Sequence, residues 1–285
     1  MSLAGPEDGV PEAVPSSRRL RRERRRERLR SRVHLLPHLF TLGNLFAGFF
    51  SISATLAGDY DRAAIAIGAG IVLDGLDGAV ARLVSTSSPI GVQLDSLADV
   101  VTFGAAPALL AMAWGVAGLD ADGSPHARRL VWIACFAFLS ATALRLARFN
   151  VMTSDDTAVV VPRRDAFIGM PTPTSAAVIA VHVHLIKLPL REWPWAIVWA
   201  AGLLVLTGLM VSRVAFPNVK RFLVGSRSPH LLMLGAALVI AAVYYYSEIV
   251  LFGLLVAYLG WTASYNLRLR RGSGEPSTAA DGAEP

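Results

Sequence analysis

One cysteine, Cys135, stands in the whole chain of 285 residues. A single thiol excludes an internal disulfide and a CxxC metal site. It lies in an apolar run, where helix packing is its expected role. Charge is scarce too: 17% of residues are charged against 54% apolar, an apolar excess over ordinary soluble domains. His182 and His184 are two apart, which on a helix places them on different faces and removes them as a joint metal site. Also missing is an apolar h-region joining the basic N-terminal run to a small-residue cleavage site, so no signal peptide is read. The net charge of +6 would suit nucleic acid. The hydrophobic spans outweigh that reading, and no nucleic-acid partner is expected.

The positive charge is unevenly placed. Residues 1–17 are rich in Pro, Ser, Gly and Glu and are expected to be disordered. Residues 18–32 hold ten arginines, expected to form a basic arm against anionic lipid. Apolar spans then recur at 37–57, 61–83, 93–116, 129–149, 169–188, 193–212, 229–247 and 249–267. Each is close to the length that crosses the hydrocarbon. With the N-terminus in the cytoplasm, 22 of the 27 lysines and arginines fall on cytoplasmic segments and 5 on the opposite side. The positive-inside rule therefore puts both termini in the cytoplasm. Trp193, Trp195 and Tyr244 to Tyr246 fall near the outer ends of their spans, as interface aromatics do.

Against this apolar background one stretch stands out, Asp74 to Asp99, DGLDGAVARLVSTSSPIGVQLDSLAD. Asp74 and Asp77 are three apart and Asp95 and Asp99 four apart, so each pair shares a helix face. Ser87-Ser88-Pro89 reads as a turn between them. A helical hairpin would gather four carboxylates, which would repel one another and take up protons unless compensated. Mg²⁺ or Mn²⁺, hard cations that prefer oxygen, are the natural compensation. Helix caps and solvated charges are the bland alternative, but acids in membrane-like surroundings are costly. Gly78 and Ala81, small at i and i+3, suit close helix packing or leave room for a nucleotide. Gly91 permits close backbone approach. Arg82 could pair with the acids, hold a phosphate or snorkel. Arg145 and Arg148 share a face that would suit a phosphate or carboxylate, or serve as positive-inside anchors.

The spacing Asp74-x2-Asp77-Gly78-x2-Ala81-Arg82-x8-Gly91-x3-Asp95-x3-Asp99 resembles the signature of the CDP-alcohol phosphatidyltransferases. The continuation Asp95-Ser-Leu-Ala-Asp-Val-Val-Thr-Phe-Gly-Ala-Ala-Pro107 resembles one branch, the bacterial membrane-embedded phosphatidylserine synthases. So do Arg145-Leu-Ala-Arg148-Phe-Asn150, Gly169-Met-Pro171-Thr-Pro173-Thr174 and Val211-Ser-Arg213-Val-Ala-Phe-Pro217-Asn-Val-Lys220. The resemblance covers about His38 to Lys220.

That resemblance implies an all-α integral membrane protein of about eight transmembrane helices, the first six forming the phosphotransferase core. The expected division is a basic cytoplasmic arm (1–33), the membrane core (34–220), two added helices (221–268) and a disordered cytoplasmic tail (269–285). It implies two Mg²⁺ or Mn²⁺ ions held by Asp74, Asp77, Asp95 and Asp99, with Asp99 also the general base. Gly78, Ala81, Arg82 and Gly91 would line the CDP-diacylglycerol site. Arg145, Arg148 and Lys220 would meet a phosphate or the serine carboxylate. The implied reaction moves a phosphatidyl group from CDP-diacylglycerol to L-serine with release of CMP, in a homodimer of the cytoplasmic membrane. The residues alone do not separate ligand from base among the four acids. Two rivals stay open: the same reaction with glycerol 3-phosphate or inositol phosphate, and an ion-coupled transporter. The transporter would scatter its acids over several helices at mid-membrane depth; here they cluster in one hairpin.

Overall fold

A computed structural model describes residues 35–84, 89–119, 125–154, 166–217 and 229–272. The arginine-rich arm, the Ser87-Ser88 turn, Lys220 and the end of the C-terminal tail lie outside the described residues.

Helix α1 (Leu35–Leu56) turns sharply into α2 (Tyr60–Val84). Gly58 makes the turn at φ 79°, a conformation that favours glycine. Asp59 then caps α2, its Oδ1 accepting the Arg62 backbone N–H at 3.1 Å. Next come α3 (Pro89–Asp99), a π-helical stretch (Val100–Ala105) and α4 (Ala106–Val116), without a gap. Helix α5 (Pro125–Ser154) is the longest unbroken one at 30 residues. Strand β1 (Ala166–Ile168), α6 (Thr172–Ile186), α7 (Trp193–Val211) and β2 (Ala215–Pro217) follow. The last element, α8 (Pro229–Gly272), leaves helical geometry at Tyr246 (φ −137°, ψ 46°). It is two helices joined at a break, close to the boundary expected between the last two spans. It also runs on to Gly272, past the expected start of the tail at 269.

Five stretches among the described residues are long and apolar enough to cross a membrane: Leu39–Leu56, Ile90–Val116, Pro125–Val151, Trp193–Val211 and Tyr245–Arg268. The chain is a helical, multi-pass membrane protein. Three of the eight expected spans, 61–83, 169–188 and 229–247, are not among these five, and for the first two the reason is visible. Helix α2 carries Asp61, Arg62, Asp74, Asp77 and Arg82. Helix α6 has only 15 residues, about 22 Å at the helical rise, because Gly169 (φ 74°) and β1 precede it and Lys187 (φ 62°) ends it.

Lipid supplies no hydrophobic force between helices, so packing depends on close approach. A Cβ at Gly115 would come within 2.8 Å of the Trp199 ring, and one at Gly104 within 3.1 Å of Leu139 and Thr142. One buried cluster centres on Val131, Phe138, Ile179, Leu203 and Phe216 and includes Cys135. A second, around Ile67, Phe103, Leu110, Trp114 and Val183, joins α2, the π-helical stretch, α4 and α6. Leu39, Phe46, Phe49, Trp132 and Phe136 point outward, as lipid-facing residues do.

At the end of the bundle where α2 begins, polar contacts tie α8 to the rest. His184 accepts or donates at both ring nitrogens, 2.6 Å from Asp61 Oδ1 and 2.9 Å from Ser247 Oγ. Lys187 pairs with Glu248. His182 instead stacks on Trp199 at 4.9 Å. The two histidines thus face different neighbours, as their spacing predicts.

Candidate active site

Asp74 and Asp77 stand near the other end of α2, and Asp95 and Asp99 stand on α3. Carboxylate oxygens of Asp74, Asp95 and Asp99 lie within 4.8 Å of one another. Ligands on opposite sides of one hard cation, each about 2.1–2.6 Å from it, are about 4–5 Å apart. The three oxygens therefore fit a divalent ion both in spacing and in donor type.

Asp77 takes a different direction. It is only 7% exposed, and its Oδ2 accepts the Thr41 hydroxyl at 2.5 Å. It remains near enough to repel Asp95 and Asp99 electrostatically. The expected group of four is thus three converging acids and a fourth seated against α1.

Thr41 and Asn44 of α1 are the polar residues that sequence reading passes over. Asn44 is fully buried, and its Nδ2 donates to Asp99 Oδ1 at 3.1 Å. The available signal was a threonine and an asparagine three apart in a span without charged residues. Such spacing marks a shared face but does not say what that face meets.

The small residues differ in their surroundings. Gly78 and Gly91 are partly exposed. A Cβ at Gly75 would meet nothing within 4 Å among the described residues, so close packing does not account for that glycine. Ala81 and Arg82 lie on the α2 backbone, and their side chains fall outside the described set.

The three later segments singled out above converge. Arg145 Nη1 donates to Ile168 O and Met210 O, both at 3.1 Å. It so clips β1 to the end of α7. Strands β1 and β2 pair antiparallel, with Phe167 opposite Phe216. Gly169 N–H donates to Val214 O at 2.8 Å and Met170 N–H to Leu209 O at 3.0 Å. Arg148 is exposed on the same helix as Arg145. Asn150, at the end of α5, donates from Nδ2 to Ser96 Oγ at 2.8 Å. That bond docks α5 on the helix that carries Asp95 and Asp99.

A half-buried group of hard oxygen donors, supported from a neighbouring helix and set in a membrane bundle, is suited to hold a divalent cation. The chain belongs to the CDP-alcohol phosphatidyltransferase family, whose sequence model matches residues 34–216. It is 34% identical over 189 residues to the CDP-diacylglycerol–serine O-phosphatidyltransferase of Helicobacter pylori, covering 66% of this chain and 74% of that relative. The Bacillus subtilis protein of the same name is 32% identical over 186 residues, 65% of this chain and 92% of the relative. The one from Mycobacterium leprae is 33% identical over 220 residues, 74% of this chain and 68% of the relative. Family membership makes the chain a transferase, and the acid cluster is where a metal could bind.

Proposed function

We propose that this chain is a CDP-diacylglycerol–serine O-phosphatidyltransferase. The observation that carries the reading is the convergence of Asp74, Asp95 and Asp99, in a chain whose relatives bear that name.

Asp74, Asp77 and Asp95, with Asp99, would hold the divalent ions, two Mg²⁺ or Mn²⁺. When bound, these ions neutralise the diphosphate and stabilise charge on the phosphoryl oxygens and on leaving CMP. Asp99 accepts the proton of the L-serine hydroxyl, directly or through one water. The serine oxygen attacks the phosphorus that bears diacylglycerol. The bond from that phosphorus to the bridging oxygen breaks, and CMP leaves with the electron pair. Phosphatidylserine stays in the bilayer. Gly78, Ala81, Arg82 and Gly91 lie along the helices where the nucleotide would rest. Arg148 and Lys220 are the basic groups for a phosphate or the serine carboxylate. Arg145 belongs with them only through the nitrogens other than Nη1, which serves two backbone carbonyls.

The 22-to-5 charge asymmetry supports a site and both termini on the cytoplasmic side of the cell membrane. There, serine and CMP are soluble. The family resemblance supports a homodimer as part of this reading. The test is to incubate the purified protein with CDP-diacylglycerol, Mn²⁺ or Mg²⁺ and each of L-serine, glycerol 3-phosphate and inositol phosphate. CMP release fastest with serine is the expected result. Faster release with another alcohol would overturn the acceptor while leaving the reaction class.

A further inference from the structure

Asp99 is followed at once by the π-helical stretch Val100–Ala105, in which Ala106 N–H reaches back to Val101 O. Single π turns inside α-helices recur at functional sites. Here the stretch brings Thr102, fully buried, into a slot between two helices. A Cβ at Gly48 of α1 would stand 2.5 Å from Thr102 Oγ1, and one at Gly70 of α2 would stand 2.5 Å from Thr102 Cγ2. Only residues without a side chain admit Thr102 there. Its hydroxyl donates to the backbone oxygen of Asn44 at 2.8 Å. Asn44 in turn gives its amide N–H to Asp99 Oδ1 at 3.1 Å. A closed loop results: Asp99, the π turn, Thr102, Asn44 and back to Asp99.

Asn44 carries a second mark. Its Oδ1 is buried and makes no hydrogen bond among the described residues. Buried polar atoms without partners are rare and call for an explanation. Among the described residues the side chain's one hydrogen-bond partner is Asp99, so its orientation serves the donor and not the acceptor. The amide donor fixes the rotation of the Asp99 carboxylate through one oxygen and leaves the second oxygen free of that contact.

We propose that Asn44 is a positioning residue for Asp99, held in register by the Thr102 hydroxyl in the Gly48–Gly70 slot. The proposal rests on the reading of Asp99 as general base. Asn44 has no hydrogen bond to Asp74, Asp77 or Asp95, so its loss leaves the supports of those three acids in place and should lower turnover more than metal affinity.

The experiment uses the full-length protein in nanodiscs, with parent, Asn44→Leu, Thr102→Val and Thr102→Ser. Three quantities are read: kcat and KM for CDP-diacylglycerol from CMP release, Mn²⁺ binding in the presence of CDP by electron paramagnetic resonance, and the unfolding midpoint. Asn44→Leu should lower kcat by about 10- to 100-fold, the scale of a misplaced catalytic group. Its KM should stay within about threefold, and its Mn²⁺ affinity should fall less than its kcat, because only one of the acids, Asp99, loses a support. Thr102→Val should lower kcat in the same sense, and Thr102→Ser, which keeps the hydroxyl, should restore it. An unchanged kcat in Asn44→Leu overturns the proposal. So does a fall in kcat matched by the fall in Mn²⁺ affinity, which would make Asn44 part of the metal site. If Asn44→Leu does not fold, the Thr102 pair decides: serine and valine variants that behave alike overturn it. A parent inactive with serine but active with another alcohol refutes the acceptor assignment alone, and the same comparison is then made with that alcohol.

Discussion

Thr41 of α1 donates to Asp77 of α2 across 2.5 Å, joining residues 36 positions apart in the chain. A carboxylate only 7% exposed has given up most of its water, and a hydroxyl donor replaces part of what was lost. The same helix supplies Asn44 to Asp99. The acid hairpin is therefore held from outside, by a span that carries no acid or base of its own beyond His38.

Thr41→Val keeps the branched shape and removes the donor. Leaving the Asp77 carboxylate short of a partner should cost about 1–3 kcal/mol of stability. If Asp77 is a ligand, the Mn²⁺ concentration needed for half-maximal CMP release should rise about 10-fold or more. A metal titration beside a thermal melt checks both. An unchanged metal requirement in a destabilised protein would make the Thr41–Asp77 pair purely structural.

The spans were legible because a run of about twenty apolar residues has few alternatives. The acids were legible because they are costly in such surroundings and repeat at helical spacing. Asn44 was not, since its partner is 55 residues away and a lone amide in an apolar span has no local signature. Nor was the π turn after Asp99, which Thr102 and the glycines facing it make apparent only once the helices are packed. Helix α6 was read too long because hydropathy does not register the positive φ of Gly169 and Lys187. The short β1–β2 ladder falls in segments flagged only by resemblance; three residues a strand is too short for a periodic pattern.

Gly169 offers a test of the knot beside the site. It has φ 74°, and a Cβ there would stand 2.8 Å from Arg145 Nη1 and 3.0 Å from Ser212 O. Gly169→Ala should therefore destabilise by more than the ordinary cost of about 1–2 kcal/mol for a left-handed non-glycine residue. The unfolding midpoint in detergent is the measurement. A midpoint equal to the parent's would mean that β1 and the end of α7 are not held as described.

The charge asymmetry predicts sidedness. Cys135, the only cysteine, is buried, so labelling background should be low. Single cysteines at Ser87 and Ser124 should react from opposite faces of the membrane, Ser87 from the cytoplasmic one. Labelling of both from one face would remove the proposed topology and with it the cytoplasmic placement of the acids.

The four aspartates can be sorted into base and ligands by one set of variants. Asp99→Asn keeps the size and one oxygen but cannot accept a proton at neutral pH. Were Asp99 the base, this variant should bind Mn²⁺ and CDP-diacylglycerol with modest loss. Turnover should fall about 10²- to 10⁴-fold, the usual share of general-base catalysis. Asp74→Asn and Asp95→Asn change the two other acids whose oxygens converge with those of Asp99. A neutral amide is a poorer ligand for a hard cation, so metal binding should weaken in both, and raised Mn²⁺ should recover part of the activity. Asp77→Asn should follow them if its carboxylate reaches the ions. Should it leave the metal requirement unchanged, the Thr41 bond accounts for the residue by itself. CMP release against metal concentration for the four variants, beside metal-dependent nucleotide binding, separates these outcomes. Full recovery of Asp99→Asn at high metal would make Asp99 a ligand only. The serine proton would then have to leave by another route, and the case for Asn44 as its positioning residue would fall with it.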